Sequence, residues 1–138
     1  SSRNDWKEIV KLLLKIHGID VNATDKKGET ALIASSRNGH KETVQILFDD
    51  GRIDVNLADK NGETALIAAS LNGHTNVVEI LLQFRGINVN AADKDGETAL
   101  IVASRNGHKE IAEILLDVSG IDVDAANIYG ETALIEAC

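Results

Sequence analysis

Three histidines, His40, His74 and His108, and four glutamates, Glu29, Glu63, Glu97 and Glu131, recur at a constant interval along the chain. Both rows carry side chains capable of chemistry, since imidazoles bind transition metals and paired carboxylates serve as acid and base. The interval argues against both uses. If successive copies stand on successive stacked units, they sit roughly 10 Å apart, one helix-packing distance. Metal ligands lie about 2 Å from their ion, and a working carboxylate pair needs its oxygens within about 5–10 Å in one pocket. The residue in register with the histidines near the N-terminus is Trp6, which could not replace a ligand. The histidines are therefore expected to be structural, at a helix-turn-helix corner. The glutamates are expected to support the helix N-termini that follow them or to pair with neighbouring lysines. Cys138 is the single cysteine, so no internal disulfide can form and no redox or metal role is expected. No Gly-rich phosphate loop, nucleophile elbow or Cys-His cluster occurs. We expect no catalytic residues, no metal and no cofactor.

Composition narrows the classes further. The apolar residues are mostly Ala, Ile, Leu and Val, with 3% aromatics and neither Met nor Pro, which suits thin layers of small and branched side chains. At 138 residues the chain fits one domain. A formal net charge of -8 disfavours nucleic acid, whose binding rests on clustered Lys and Arg. No long apolar run and no signal-like N-terminus is present, so a soluble, intracellular, cytoplasmic protein without membrane insertion is expected, acting as a monomer.

The elements that position these residues follow from a repeat. Gly-Glu-Thr-Ala-Leu-Ile begins at Gly28, Gly62, Gly96 and Gly130, a period of 34 residues. The same register aligns Asn38-Gly39-His40 with Asn72-Gly73-His74 and Asn106-Gly107-His108. It divides residues 1–138, taken as a single domain, into repeats 25–58, 59–92 and 93–126, flanked by partial repeats 1–24 and 127–138. Because both flanking units are incomplete and neither terminus is strongly polar, the sequence is expected to belong to a longer array. Within each unit Thr30 and its equivalents can cap a short first helix, and Gly39 can end it in the left-handed conformation. A second helix follows, with Val44, Leu47 and Phe48 at helical spacing, broken by Gly51, Gly86 or Gly120. Asp54 to Lys60 then runs through an extended Val-Asn stretch into an Asp-Lys-Asn-Gly turn, a hairpin-like finger. Helices this short are unstable alone and must stack.

These motifs, Asp-x-x-Gly-x-Thr-x-Leu, Ala-x-x-Asn-Gly-His, a Leu-rich helix and Gly-x-Asp-Val-Asn in order, resemble the ankyrin repeat over essentially the whole chain. The resemblance implies an all-α solenoid of stacked antiparallel helix pairs with β-hairpin-like fingers, and it implies non-catalytic protein recognition. Two departures stand out. Thr-Ala-Leu-Ile at Thr30, Thr64, Thr98 and Thr132 replaces the family's Thr-Pro-Leu-His, and the period exceeds the family's usual value of about 33.

By resemblance, a partner is held by finger tips and the exposed side of the first helices. Those positions are Lys26, Lys27 and Arg37; Lys60, Asn61 and Leu71; Lys94, Asp95 and Arg105; and Ile128 with Tyr129. Lys26, Lys60 and Lys94 form one row and Arg3, Arg37 and Arg105 another, which predicts a basic concave strip tempered by the glutamates beside it. Another protein, offering a segment with acidic and apolar residues, would fit, with Ile128 and Tyr129 as anchors. Alternatively those two pack against a following repeat, and Leu71 is either an apolar contact or drift. On the outer face, Lys7, Lys11 and Lys15 give way to Glu79, Glu110, Glu113 and Asp117, read as a solvated surface. Phe48 is expected in the core and Phe84 over a loop. The rival function is a regulatory or targeting segment of a larger enzyme or channel.

Overall fold

The computed structural model describes residues 3–138, with side chains from Asp5 onward. The described residues form eight helices: α1 (Arg3–Leu14), α2 (Ala31–Arg37), α3 (Lys41–Asp50), α4 (Ala65–Leu71), α5 (Thr75–Leu81), α6 (Ala99–Arg105), α7 (Lys109–Leu116) and α8 (Ala133–Ala137). The even-numbered helices are the first helices of their units and stack on one another, while α1, α3, α5 and α7 make a second, parallel layer. This is the all-helical solenoid that the repeat register predicts.

Local chemistry fixes each start. The hydroxyls of Thr30, Thr64, Thr98 and Thr132 accept the N–H groups of Ile33, Ile67, Ile101 and Ile135 at 3.2–3.3 Å, satisfying one of the donors that a helix start leaves open. At the other end, the amide side chains of Asn38 and Asn72 donate to the carbonyls of Ala34 and Ala68 at 2.9 Å. Gly39 then reverses the chain with φ +70°. A β-carbon there would also lie 2.6 Å from Nδ1 of His74 on the next unit, so the position needs glycine twice over.

Packing is continuous through the stack. Ala65, Ala68, Ala69, Ala99 and Ala103 are fully buried in the first-helix layer, and Val44, Leu47, Val77, Val78, Leu81, Ile111 and Leu115 in the second. Small residues let the first helices approach closely; the branched ones fill the space between layers. Burying each such Val, Leu or Ile stabilises the fold by about 1.5–3 kcal/mol before the cost of chain ordering.

Two elements differ from the sequence reading. Gly51 caps α3 directly with φ +83°, but α5 and α7 stop at Leu81 and Leu116, well before Gly86 and Gly120. In the second unit, tight turns from Gln83 to the Ile80 carbonyl and from Phe84 to that of Leu81 intervene. They fold Phe84 inward, where it is buried and meets the half-buried Phe48 edge-on, with centroids 4.9 Å apart. Phe84 is thus a core residue where a loop cover was expected, and Phe48, though more exposed, packs against the same core. The fingers carry one antiparallel bridge each, Ala58 with Thr64, Ala92 with Thr98 and Ala126 with Thr132, rather than paired strands.

Candidate protein-binding groove

Each finger tip is built on one acceptor. Oδ1 of Asp59 accepts the N–H groups of Asn61 and Glu63, both at 2.9 Å. Asp25 and Asp93 repeat the arrangement, and Asn127 supplies the same oxygen to Tyr129 and Glu131. Successive tips are also joined: the N–H of Lys60 donates to the carbonyl of Lys27 at 2.9 Å, Lys94 to Asn61 at 3.0 Å, and Ile128 to Asp95 at 2.8 Å. The expected tip residues therefore form one backbone-locked row with their side chains outward.

Between this row and the first helices runs a groove of about 810 Å³. Lys26, Lys27, Arg37, Lys60, Asn61 and Leu71 line it together with Glu29, Asp59, Glu63 and Asn72. Lys94, Asp95, Arg105, Ile128 and Tyr129 lie further along the stack and do not line that groove. Ile128 and Tyr129 stand free, 60% and 75% exposed.

The two basic rows behave differently. Lys26, Lys27, Lys60 and Lys94 make no ion pair with any described residue. The arginines are engaged internally. Arg37 pairs with Glu29, with Asp59 at 3.2 Å and with Glu63 at 2.8 Å. Arg105 reaches Glu97 at 2.5 and 2.7 Å and also bonds Glu136. These bonds, Glu97 first and Glu136 second, hold the Arg105 guanidinium above its ordinary value, and Arg105 in turn holds the Glu136 carboxyl below the usual carboxylate range. The side chain of Arg3 lies outside the described residues.

Two expectations change as a result. The strip is left with free positive charge only at the finger lysines, because Arg37 and Arg105 are engaged by carboxylates, and Glu29, Glu63 and Glu97 pair with arginines rather than lysines. Glu29 and Glu63 also come closer than a stacking distance implies, because both side chains bend onto Arg37. Glu136 was missed altogether. Its signal lay in the sequence, since it is the one acid in a register otherwise held by Ala34, Ala68 and Val102.

The histidines sit at the corners. Nε2 of His74 bonds the carbonyl of Arg37 at 2.9 Å, and Nε2 of His108 that of Leu71 at 3.1 Å. A carbonyl only accepts, so Nε2 carries the proton in both. His40 packs near Trp6, with ring centroids 6.1 Å apart. Among the described residues no three His, Cys, Asp or Glu side chains group to hold a metal ion, and no helix is long and apolar enough to cross a membrane.

A family model described as ankyrin repeats in three copies matches residues 1–93 and 82–138. The chain belongs to the ankyrin repeat family. Ankyrin repeats are in general modules of protein–protein interaction, and domains built from them are typically non-catalytic. No curated protein matches the chain.

Proposed function

We propose that residues 1–138, as a single array of repeats 25–58, 59–92 and 93–126 with partial units on either side, hold a partner protein between the finger tips and the first helices, without catalysis and without a cofactor. The observation that carries this is the locked tip row, with Lys26, Lys27 and Lys60 lining a groove of about 810 Å³ and Lys94 further along, all four without an ion pair among the described residues. The backbone that carries these lysines is already ordered, so docking an acidic segment costs only the freedom of the side chains themselves. Ile128 and Tyr129 extend the row and supply an apolar anchor, which suits a segment carrying acidic and apolar residues. The protein acts inside the cell as a monomer.

Cross-linked capture from a lysate, comparing the parent with a variant carrying Lys60→Glu, Lys94→Glu and Tyr129→Ala, tests the site. The parent retains a partner and the variant loses it. Equal recovery by both would move recognition away from the tip row.

A further inference from the structure

We infer that the partner segment lies along the tip row as an extended, polyproline-II-like chain, with acidic side chains at every third residue and a bulky apolar residue three positions beyond the last acid. This deepens the reading above and rests on it; what it adds is the conformation and spacing of the partner's own residues.

The spacing comes from how successive tips are joined. From Lys26 the row advances one residue to Lys27, then crosses to the next unit through the bond from the Lys60 N–H to the Lys27 carbonyl. The same two steps lead from Lys60 through Asn61 to Lys94, and from Lys94 through Asp95 to Ile128. One Cα–Cα step of about 3.8 Å and one hydrogen-bonded crossing of about 5.5 Å put equivalent residues roughly 9–10 Å apart, in line with the helix-packing distance. Lys26, Lys60, Lys94 and Ile128 are all exposed along this line.

A polyproline-II chain has about three residues per turn and a rise of about 3.1 Å, so every third side chain points the same way at a step of about 9.3 Å. Over three steps it departs from the row by at most about 2 Å, which the long, flexible lysine stem takes up. A β-strand repeats on one face at about 6.8 Å and falls behind by about 3 Å at each tip. An α-helix matches only at every seventh residue, about 10.5 Å, and needs about 22 residues to span a row that the extended chain covers with about ten. The extended chain also has no internal hydrogen bonds and little freedom left to lose.

Charge runs one way along the row. Lys26 with Lys27 carries two positive charges, Lys60 with Asn61 one, and Lys94 with Asp95 none, ahead of the apolar Ile128 and Tyr129. None of these lysines is ion-paired with a described residue. The acid farthest from the apolar residue therefore contributes most, and the acid facing Lys94 least.

The probes are two capped peptides, acetyl-Asp-Pro-Pro-Asp-Pro-Pro-Asp-Pro-Pro-Leu-amide and the same order reversed, followed by amide NMR at low ionic strength. One comparison peptide has the same composition with its aspartates contiguous; another is a helix former with acids at every seventh residue and a leucine seven beyond. One of the two spaced peptides is expected to give saturable shifts at residues 26–27, 60–61, 94–95 and 128–129. Its Kd should lie at least about fivefold below those of both comparisons, since a mismatched register forfeits about two surface ion pairs. Asparagine at the acid farthest from leucine should weaken binding more than asparagine at the nearest one. Lys60→Gln and asparagine at the middle acid should be non-additive, because the two groups meet. Equal affinity for spaced and contiguous peptides, tighter binding of the helical one, the reverse order of the asparagine effects, or no saturable shift overturns the inference. Partner capture separates the two ideas. Any of those results, with the partner lost in the Lys60→Glu, Lys94→Glu, Tyr129→Ala variant, sinks the extended register and leaves the groove standing. A partner retained by that variant sinks both.

Discussion

At the scale of single residues, this molecule places different demands on chemically identical positions. Gly39 and Gly51 both have positive φ, yet only Gly39 faces a neighbouring ring, and nothing lies within 4 Å of a β-carbon built on Gly51. Gly51→Ala is expected to cost about 1–2 kcal/mol, the penalty of the left-handed conformation alone. Gly39→Ala should cost more and displace His74 from the Arg37 carbonyl, which denaturant midpoints and the His74 ring resonances will report. Charge behaves in the same position-dependent way. Arg105 lowers the Glu136 carboxyl from its ordinary value of 4.5. The folded state thus binds that proton less readily than the unfolded one. The associated stability is complete above pH 4.5 and fades as pH falls through the lower folded value. A carboxyl-carbon titration should find the Glu136 midpoint below 4.5 in the parent and returning towards it in Arg105→Ala. The arginine clamps were not legible in the sequence: Arg37 and Arg105 were visible as a row, but their commitment to Glu63 and Glu136 depends on how far side chains reach between units.

At the scale of elements, periodicity and capping chemistry made the helices and fingers legible, because each depends on residues within one turn of one another. Thr30 and Gly39 mark the ends of α2 by the atoms they carry. The exit of α5 was less legible, since burial of Phe84 overrides the glycine signal. A further device went unread in the recurring Val-Asn pair. Asn56 donates its side-chain amide to the carbonyl of Gly86 at 2.8 Å and accepts the N–H of Asn88 at the same distance. Asn22 and Asn90 make the same double link to their following units. The recurrence was plain, but its purpose is visible only when two units lie side by side. Asn56→Ala is expected to lower stability by about 1–3 kcal/mol, two lost bonds at about 0.5–1.5 kcal/mol each. Asn56→Asp should be similarly harmful, because a carboxylate cannot donate to Gly86. Urea unfolding with unchanged m-value checks both.

At the scale of the whole molecule, the stack has a graded interior. Ile33, Ile67 and Ile101 are each 1% exposed, while their register mate Ile135 is 55% exposed, and Trp6 at the opposite end is 49% exposed. Units that lean only on their neighbours open from the ends. Amide exchange should therefore be slowest in α4, α5 and α6 and fastest in α1 and α8; uniform protection from end to end would contradict this. The same geometry shapes the proposed recognition surface: a row of finger tips joined by bonds that run from unit to unit, beside a groove of mixed charge. The most direct test is hydrogen–deuterium exchange on the protein bound to its captured partner. Added protection is expected at residues 26–27, 60–61, 94–95 and 128–129 and on α2, α4 and α6. Protection confined to α1, α3, α5 and α7 would put the partner on the opposite face and contradict the account.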